Sequence, residues 1–262
     1  MVSRVAVVRT NRGMSAACHR ALALIGGIDD LNVEDRDVTL KVGIYDSRNL
    51  NYPSVEAVKA VAESFTRSRM IHVAESDNHC GKALDRLQVW RSVFSDRVVP
   101  FDLSHDPDIR EGLVFGKNIG FSHILFKPNV LVSLHVLRRS TMGCVLKNLL
   151  GLIPDTRKQR FHRNLGTALV DMAQAVGGVD LAAIDGTYVF GGDWKEGEPL
   201  TRERKDLLVI GRDAVAVEVV GCRLAGVDAS KVSSLKAAEK KGLGETRLEN
   251  IEILGEPLTS IL

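Results

Sequence analysis

Short apolar runs rich in Val and Ile alternate along this chain with segments whose apolar residues recur at helical spacing. The run RVAVVRT is followed by MSAACHRALALIGG, and VTLKVGIY is followed by SVEAVKAVAESF. Strands that alternate with helices in this way are typical of a mainly parallel sheet. The sequence therefore predicts an α/β fold of the doubly wound type, with helices on both faces of the sheet.

The length of 262 residues is enough for one large α/β domain with a substantial core. Hydrophobic residues make up 45% of the chain and charged residues 26%, as in ordinary globular proteins. We expect a single domain over residues 1–262, since no linker is apparent. The least patterned stretch lies around residues 102–122, and we predict a lid or an insertion there.

Charge and the lengths of the apolar runs limit the classes of partner. The formal net charge is only +2, which gives no support for nucleic-acid binding through phosphates. No apolar run approaches the ~18 residues of a membrane-spanning helix, and the first residues lack a signal-peptide pattern. We expect a cytoplasmic protein that binds neither nucleic acid nor a membrane; formation of a homo-oligomer stays open.

The four cysteines lie far apart in the sequence. Cys18, Cys80, Cys144 and Cys222 form no CxxC pair. This spacing argues against a zinc ribbon, a ferredoxin-type cluster and a thioredoxin motif. We expect free, buried thiols and no iron–sulfur cluster.

Polar residues follow four of the predicted strands. These stretches are YDSRN after Ile44, ESDNH after Val73, HVLRR after Val132 and DGTYVFGGD after Ile184. Ligands of open α/β sheets bind beyond the carboxyl ends of the strands. We therefore expect a pocket for a small ligand where these four stretches meet.

The first polar stretch carries groups that suit an anionic ligand. Asp46, Arg48 and Asn49 are predicted ligand-binding residues, because a guanidinium makes bidentate contacts with carboxylate or phosphate. The alternative is a solvated loop.

The second polar stretch combines carboxylates with a histidine. Glu75, Asp77 and His79 could ligate a divalent metal, and His79 is also a candidate for proton transfer. A helix that begins near Gly81 would present free N–H groups to an anion. The alternative is a surface loop in which Asp77 or Asn78 caps that helix.

Residues 140–154, STMGCVLKNLLGLIP, are predicted to form an amphipathic helix. Its apolar face would consist of Met142, Val145, Leu146, Leu149, Leu152 and Ile153. Lys147 projects from the opposite face, which also carries Gly143. A glycine inside a helix costs about 1 kcal/mol relative to alanine, so Gly143 suggests close approach of a ligand or backbone. We predict that Lys147 is catalytic and that Asn148 binds ligand; the alternative is a solvated helix face.

The residues ahead of this helix are basic. His135, Arg138 and Arg139 precede it, and Ser140 or Thr141 would cap it. First-turn N–H groups and two guanidiniums would then form an anion site, with Arg138 as a ligand-binding residue. The alternative is a basic surface turn.

Three further stretches carry candidate groups. DTRKQRFHRN contains the predicted ligand-binding residue His162, in either a mobile loop over an acidic ligand or a solvated basic run. DGTYVFGGDWKEGEP places Asp185 at a strand end as an acid–base candidate, although its glycines could serve turns only. In GRDAVAVEVVGCRLAG, Asp213 would cap a helix and Glu218 would lie among valines, unless one helix face is wet.

Two stretches resemble a domain-of-unknown-function family, family 362. VLVSLHVLRRSTMGCVLKNLLGLIP is similar to its signature DVLINLPKLK…GVTLALKNLFGLIP. DLLVIGRDAVAVEVVGCRLAGVDASKVSSLKAAEKKGLGE is similar to its segment D.VIAG.DPVAVDAVAA.LLG…A.E.GLGE. The likeness extends from Val38 to Glu256.

The chain departs from this family's pattern at several places. The family's LKPN is LKVG here, its PKLKTH is HVLRRS with Arg138 in place of a lysine, and its AVD is AVE with Glu218 in the acidic position. Some members carry ferredoxin-type cysteines, which this chain lacks. The resemblance therefore implies no cluster.

The order of the polar turns is also similar to that in the N-terminal domain of nickel-pincer lactate racemase. Asp46-Ser47-Arg48 and Asp77-Asn78-His79 follow the order of its Asp-His-Thr-Arg and Gly-Phe-His-Arg turns, and Arg138 precedes Gly143 and Lys147 as a histidine precedes its Gly-Gly-Arg-Lys helix. This resemblance implies a related fold, Lys147 as an anchor, His79 as a proton-transfer group and Arg48 as a carboxylate clamp. The implied reaction is of the isomerase or racemase type.

Three functions remain open from the sequence. The leading hypothesis is an enzyme that binds a small anionic molecule at the strand ends. The second is a protein that handles a metal or cofactor through His79, Glu75, Asp77 and His162. The third is a non-catalytic scaffold, in which the strand-end side chains would point apart into solvent.

Overall fold

A computed structural model describes residues 2–191 and 200–261. The strands are β1 Ser3–Arg9, β2 Val38–Val42, β3 Ile71–Glu75, β4 Val98–Asp102, β5 Ile109–Val114, β6 Lys117–Ser122, β7 Val130–Arg139, β8 Leu181–Gly191, β9 Thr201–Gly211 and β10 Ile251–Gly255. The α-helices are α1 Met14–Leu24, α2 Val55–Glu63, α3 Ala83–Leu87, α4 Leu165–Ala175, α5 Ala214–Ala225 and α6 Ser233–Lys241. The longer 3-10 helices are Gln88–Val93, Lys147–Leu152 and Lys158–Asn164.

Eight strands form one sheet in the order β10-β1-β9-β8-β7-β2-β3-β4. Five of the seven neighbouring pairs are parallel, and both antiparallel pairs involve β9. The predicted mainly parallel sheet is therefore confirmed. Strands β8, β7, β2 and β3 are consecutive and parallel. YDSRN and ESDNH lie at the ends of β2 and β3 as predicted, whereas β7 and β8 continue through HVLRR and into DGTYVFGGD.

Apolar residues cover both faces of this sheet. Alternate residues of β1 point to opposite sides, with Val5 and Val7 in one apolar cluster and Ala6 and Val8 in the other. Helices α4, α5 and α6 contribute to the first cluster, and α1 and α2 contribute to the second. This arrangement confirms the expected α/β fold with helices on both faces.

The predicted helix over residues 140–154 is wrong. Only Lys147–Leu152 is helical, and it is a 3-10 helix. Gly143 has a φ of 87°, which is incompatible with a right-handed helix. The N–H groups of Cys144 and Leu146 bind a distant carboxylate, on Glu218, and so do not begin a helix. The apolar residues predicted for one face are nevertheless at least partly buried, because tertiary packing rather than helical geometry places them in the core.

Residues 102–122 contain a separate two-stranded sheet, formed by β5 and β6. The hairpin packs against α4, where the Phe115 N–H donates to Asp171 Oδ2 at 2.8 Å and the Phe115 ring stacks on Phe161. None of the described hairpin residues lines the cavity that is described below. Movement of the hairpin as a lid stays a prediction.

Within residues 2–191 and 200–261, no helix has the length and apolar character needed to cross a membrane. Three of the four thiols are buried, as expected, and Cys80 is half-buried.

Candidate functional site

A cavity of about 470 Å³ lies near the carboxyl ends of β2, β3 and β7. Its basic side chains are Lys41, Arg138, Lys147, Lys158, His79, His135 and His162. Glu75 is the one carboxylate among the described lining residues. Side chains from three strand ends thus surround a common cavity; the scaffold interpretation stays a prediction.

The floor of the cavity contains a buried ionic network. Lys41 is 1% exposed, and its Nζ lies 3.0 Å from Glu75 Oε1 and donates to Asn148 Oδ1 at 2.9 Å. Burial lowers the pKa of Lys41, and the Glu75 charge opposes that shift. Glu75 Oε2 also lies 4.0 Å from the buried Arg86 Nη1. One carboxylate is therefore shared by two buried cations.

Asn148 holds this network against the sheet. Its Nδ2 donates to Lys41 O at 2.8 Å and to Ser133 Oγ at 3.1 Å, and Lys41 and Ser133 are register partners on β2 and β7. Both ends of the amide are therefore engaged by the protein. The direct contact of Asn148 with a ligand that the sequence predicts is untested, and its observed role is to position Lys41.

Lys147 and Lys158 face the cavity with different partners. The Lys158 ammonium donates to Ser76 Oγ at 2.5 Å and to Asp77 O at 2.6 Å. The Lys147 ammonium makes no hydrogen bond or ion pair within the part of the chain that the structure describes. Burial lowers the pKa of Lys147 to about 8, and the nearby charges of Arg138 and Lys41 add to the shift. Burial likewise lowers the pKa of Lys158 to about 8.

Glu218 fixes the loop that carries Lys147. Its carboxylate accepts hydrogen bonds from the N–H groups of Cys144 at 2.7 Å and Leu146 at 2.8 Å. Burial raises the pKa of Glu218 to about 7, although these two donors oppose the shift. A Cβ at Gly143 would lie 3.0 Å from Glu218 Oε1, so the glycine lets the carboxylate approach the loop. The possible wet helix face around Glu218 is therefore wrong, since this residue is 0% exposed.

The anion site predicted at the start of residues 140–154 does not form as expected. The backbone N–H groups of Cys144 and Leu146 donate to the Glu218 carboxylate, so the anion at this position is a side chain of the protein. Arg138 lines the cavity. Arg139 is directed elsewhere, because it donates to Ala225 O at 3.1 Å and to Glu203 Oε2 at 3.0 Å.

The three histidines of the cavity differ in their surroundings. The Tyr45 hydroxyl is hydrogen-bonded to His79 Nε2, and the two rings meet edge to face with centroids 5.0 Å apart. Burial, with a contribution from Lys147, lowers the pKa of His162. His135 is 7% exposed, and burial lowers its pKa to about 3.

Two departures from the family signature lie against each other at His135. Gly43 stands where LKPN has asparagine, and His135 stands where PKLKTH has proline. A Cβ at Gly43 would lie 2.0 Å from His135 Cδ2. The imidazole therefore occupies space that any side chain at position 43 would need.

The first polar stretch does not line the cavity at its predicted ligand-binding residues. Arg48 donates to Asp46 through Nε at 3.0 Å and Nη2 at 2.8 Å, while its own side chain is 81% exposed. Asn49 is half-buried beside this pair. Asp46 thus provides a local partner for the guanidinium that was predicted to clamp a ligand carboxylate. Asn51, two positions further on, does line the cavity, and its Oδ1 is buried without a partner among the described residues.

The predicted position of Asp185 at a strand end is wrong, because β8 continues to Gly191; Asp185 lies outside the cavity lining and makes structural contacts. Its Oδ2 accepts from the Ser54 N–H at 2.7 Å, at the start of α2. Its Oδ1 accepts from the N–H of Thr187 at 3.0 Å and from Thr187 Oγ1 at 2.6 Å. The end of this polar stretch, residues 192 and 193, lies outside the described residues.

We expect Asp185→Asn to lower the free energy of unfolding by about 1–3 kcal/mol, because one of the buried donors on Asp185 then loses its acceptor. Anion affinity at the cavity should be unchanged. Urea denaturation and calorimetric titration measure the two quantities. A stable variant with lost turnover would instead support the predicted catalytic role of Asp185.

The three predicted metal ligands are not brought together. Asp77 groups with Asp102 and His105, whose donor atoms all lie within 4.8 Å of one another, and this is the one such group in the described ranges. Asp102 Oδ2 is hydrogen-bonded to His105 Nδ1 at 2.8 Å, and this contact raises the pKa of His105. Glu75 and His79 do not belong to this group of three. Glu75 contacts Lys41, and His79 is hydrogen-bonded to Tyr45, both at the cavity. Asp77 Oδ1 accepts the first N–H of α3, as in the capping alternative.

Sequence reasoning missed several polar residues of the cavity, among them Lys41, Tyr45, Asn51 and Lys158. Lys41 carried a signal, since it is the one charged residue in the five-residue apolar strand VTLKV, all of which is buried. Tyr45 and Asn51 carried none, because a tyrosine or an asparagine in a loop is ordinary.

The comparisons with known proteins place the chain in a family. The family model described as Domain of unknown function (DUF362) matches residues 38–223, well over half of the chain. The match runs from β2 into α5, so it includes every strand end at the cavity and also Glu218. No curated protein matches the chain. The likeness to lactate racemase is not shown by these comparisons. The chain therefore belongs to the family described as Domain of unknown function (DUF362).

Proposed function

We propose that the cavity binds a small anionic molecule and that the protein is an enzyme in which Lys147 transfers a proton at the bound anion. The observation that carries this proposal is the Lys147 ammonium, which has no partner among the described residues. A cationic nitrogen in a partly buried site is stabilised by a charged acceptor. A bound carboxylate or phosphate would supply that acceptor.

The charge balance of the cavity supports the same proposal. Lys41, Lys147 and Lys158 bring three ammonium groups to the cavity, and Glu75 is the one carboxylate among its described lining residues. That carboxylate is already shared between Lys41 and Arg86. The site therefore favours an anion and disfavours a metal cation, which leaves metal handling as the weaker candidate.

Proton transfer is supported by the acidity of Lys147. A lysine whose pKa is about 8 exchanges its proton near neutral pH, as a general acid or base requires. His79 lies at the same cavity and is bonded to Tyr45, so a second proton-transfer group is available. The reaction proposed is an isomerisation in which His79 takes a proton from one atom of the anion and the Lys147 ammonium gives a proton to another, so that the proton count of the anion is unchanged.

We expect anion affinity to fall as the pH rises through about 8, because Lys147 and Lys158 then lose their charge. Calorimetric titrations with malate and with glycerol 3-phosphate at about pH 7 and about pH 9.5 measure this change. The control is Lys147→Arg, which stays charged at the higher pH and should retain more of its affinity. Equal affinities at the two pH values in the wild type would contradict the proposal.

A further inference from the structure

His135 presents a hydrogen-bond acceptor at the cavity. It is 7% exposed and lies within β7, one residue past the position that pairs with the end of β2. Its Nδ1 is 3.0 Å from Val136 O. A carbonyl oxygen only accepts hydrogen bonds, so Nδ1 carries the proton and Nε2 carries a lone pair.

The Nε2 atom has no hydrogen-bond partner among the residues that the structure describes. The ring edge that bears Nε2 lies over Gly43, which also lines the cavity, and a Cβ at that glycine would be 2.5 Å from Nε2. An acceptor that faces such a cavity is available to a donor on a bound molecule or to water.

The charges around His135 Nε2 indicate which kind of hydrogen-bond donor it can accept from. Burial and the charge of Arg138 keep the pKa of His135 at about 3, so the ring stays neutral and does not attract an anion. A metal cation or a ligand ammonium would be repelled by Lys41, Lys147 and Arg138. A hydroxyl is the neutral donor that a small anion commonly carries.

We propose that His135 Nε2 accepts a hydrogen bond from a hydroxyl group of the bound anion, so that the cavity selects hydroxylated carboxylates or phosphates over their plain analogues. This inference rests on the proposed function and names the class of substrate for it. The anionic group and the hydroxyl would be recognised separately, by Lys147 and by His135.

The test uses two matched pairs of anions, each differing in hydroxylation. Malate is paired with succinate, and glycerol 3-phosphate is paired with propyl phosphate. Calorimetric titration of the wild type should show about tenfold or greater preference for the hydroxylated member of at least one pair. The pair that shows it identifies the anionic group as carboxylate or phosphate.

Three variants distinguish the loss of the hydrogen-bond acceptor from the loss of the fold. His135→Phe keeps the bulk of the ring and should lose the preference while still binding the plain anion. His135→Gln offers a carbonyl acceptor and should restore part of the preference. Gly43→Ala displaces the ring without altering its chemistry and should act like His135→Phe. Circular dichroism and thermal unfolding verify that each variant is folded.

The possible outcomes distinguish the two proposals. If none of the four anions binds with a Kd below about 10 mM, the anion site itself is refuted. If both members of each pair bind the wild type equally tightly, the role of His135 is refuted and the anion site stands. A preference that persists in His135→Phe also overturns the inference.

Discussion

We expect Glu75→Ala to lower the free energy of unfolding by about 3–5 kcal/mol, the largest effect of any substitution in the cavity. The carboxylate lies 3.0 Å from Lys41 Nζ and 4.0 Å from Arg86 Nη1, and all three side chains are at most 7% exposed. Removing it leaves two buried cations without a counter-charge. Urea unfolding with linear extrapolation measures the change.

A surface ion pair supplies the matched control. Glu252 lies 2.8 Å from Arg4, with side chains 44% and 55% exposed, and Glu252→Ala should cost less than about 1 kcal/mol. A second variant, Glu75→Ala combined with Lys41→Met, removes one of the stranded cations and should recover part of the loss. An effect of Glu75→Ala as small as that of Glu252→Ala would show that the network is not stabilising.

The same network explains the electrostatics of the cavity. Glu75 neutralises part of the charge of Lys41 and Arg86, and so allows two cations to remain buried beneath the site. Its oxygens also accept hydrogen bonds from the N–H groups of Ile44 at 3.3 Å and Ser76 at 2.9 Å. Four groups of the protein therefore surround the carboxylate: Lys41, Arg86 and the two backbone N–H groups.

The position of the cavity was predictable from the sequence. Alternating strands and helices predict a parallel sheet, and parallel strands bring their polar ends to one edge. For this reason His79 and Arg138, from separate strands, line one cavity, and Lys147 and His162 reach it from the segment between β7 and α4. The pairing order β8-β7-β2-β3 could not be derived from the pattern, but neighbouring strand ends were enough to place these residues.

The predictions that proved wrong had two causes. Some depended on a contact with a residue distant in sequence, and others on a hydrogen-bond partner within the protein that the pattern did not show. The helix over residues 140–154 was predicted from its period, yet Glu218, more than seventy positions away, binds the amides that would have begun it. The Arg48 guanidinium donates to Asp46, two positions away, and Asp185 accepts a hydrogen bond from the Ser54 N–H at the start of α2. The residue type indicates which interactions a side chain can make. The partners around it in the fold determine whether that side chain is left to contact a ligand.

We expect Lys147→Met to weaken binding of any anion that the cavity accepts by about tenfold to a hundredfold, since one charge-assisted contact is lost. The same variant should be more stable than the wild type by about 1–2 kcal/mol at pH 7. Its lysine has a pKa of about 8 when folded and a higher one when unfolded, so the charged form is disfavoured in the native state. Urea unfolding and calorimetric titration measure the two effects.

The pH dependence of that stability difference separates a ligand-binding lysine from a solvated one. Below about pH 8 Lys147 is charged in both states, and the gain of Lys147→Met is complete. Between about pH 8 and about 10.5 the unfolded state binds more protons than the folded state, so the wild type is stabilised and the gain disappears. Lys59, an exposed lysine 3.8 Å from Glu63, is the control, and Lys59→Met should change neither anion affinity nor stability appreciably. If Lys147→Met behaves like Lys59→Met in both measurements, Lys147 lies on a solvated surface and the anion site proposed around it is wrong.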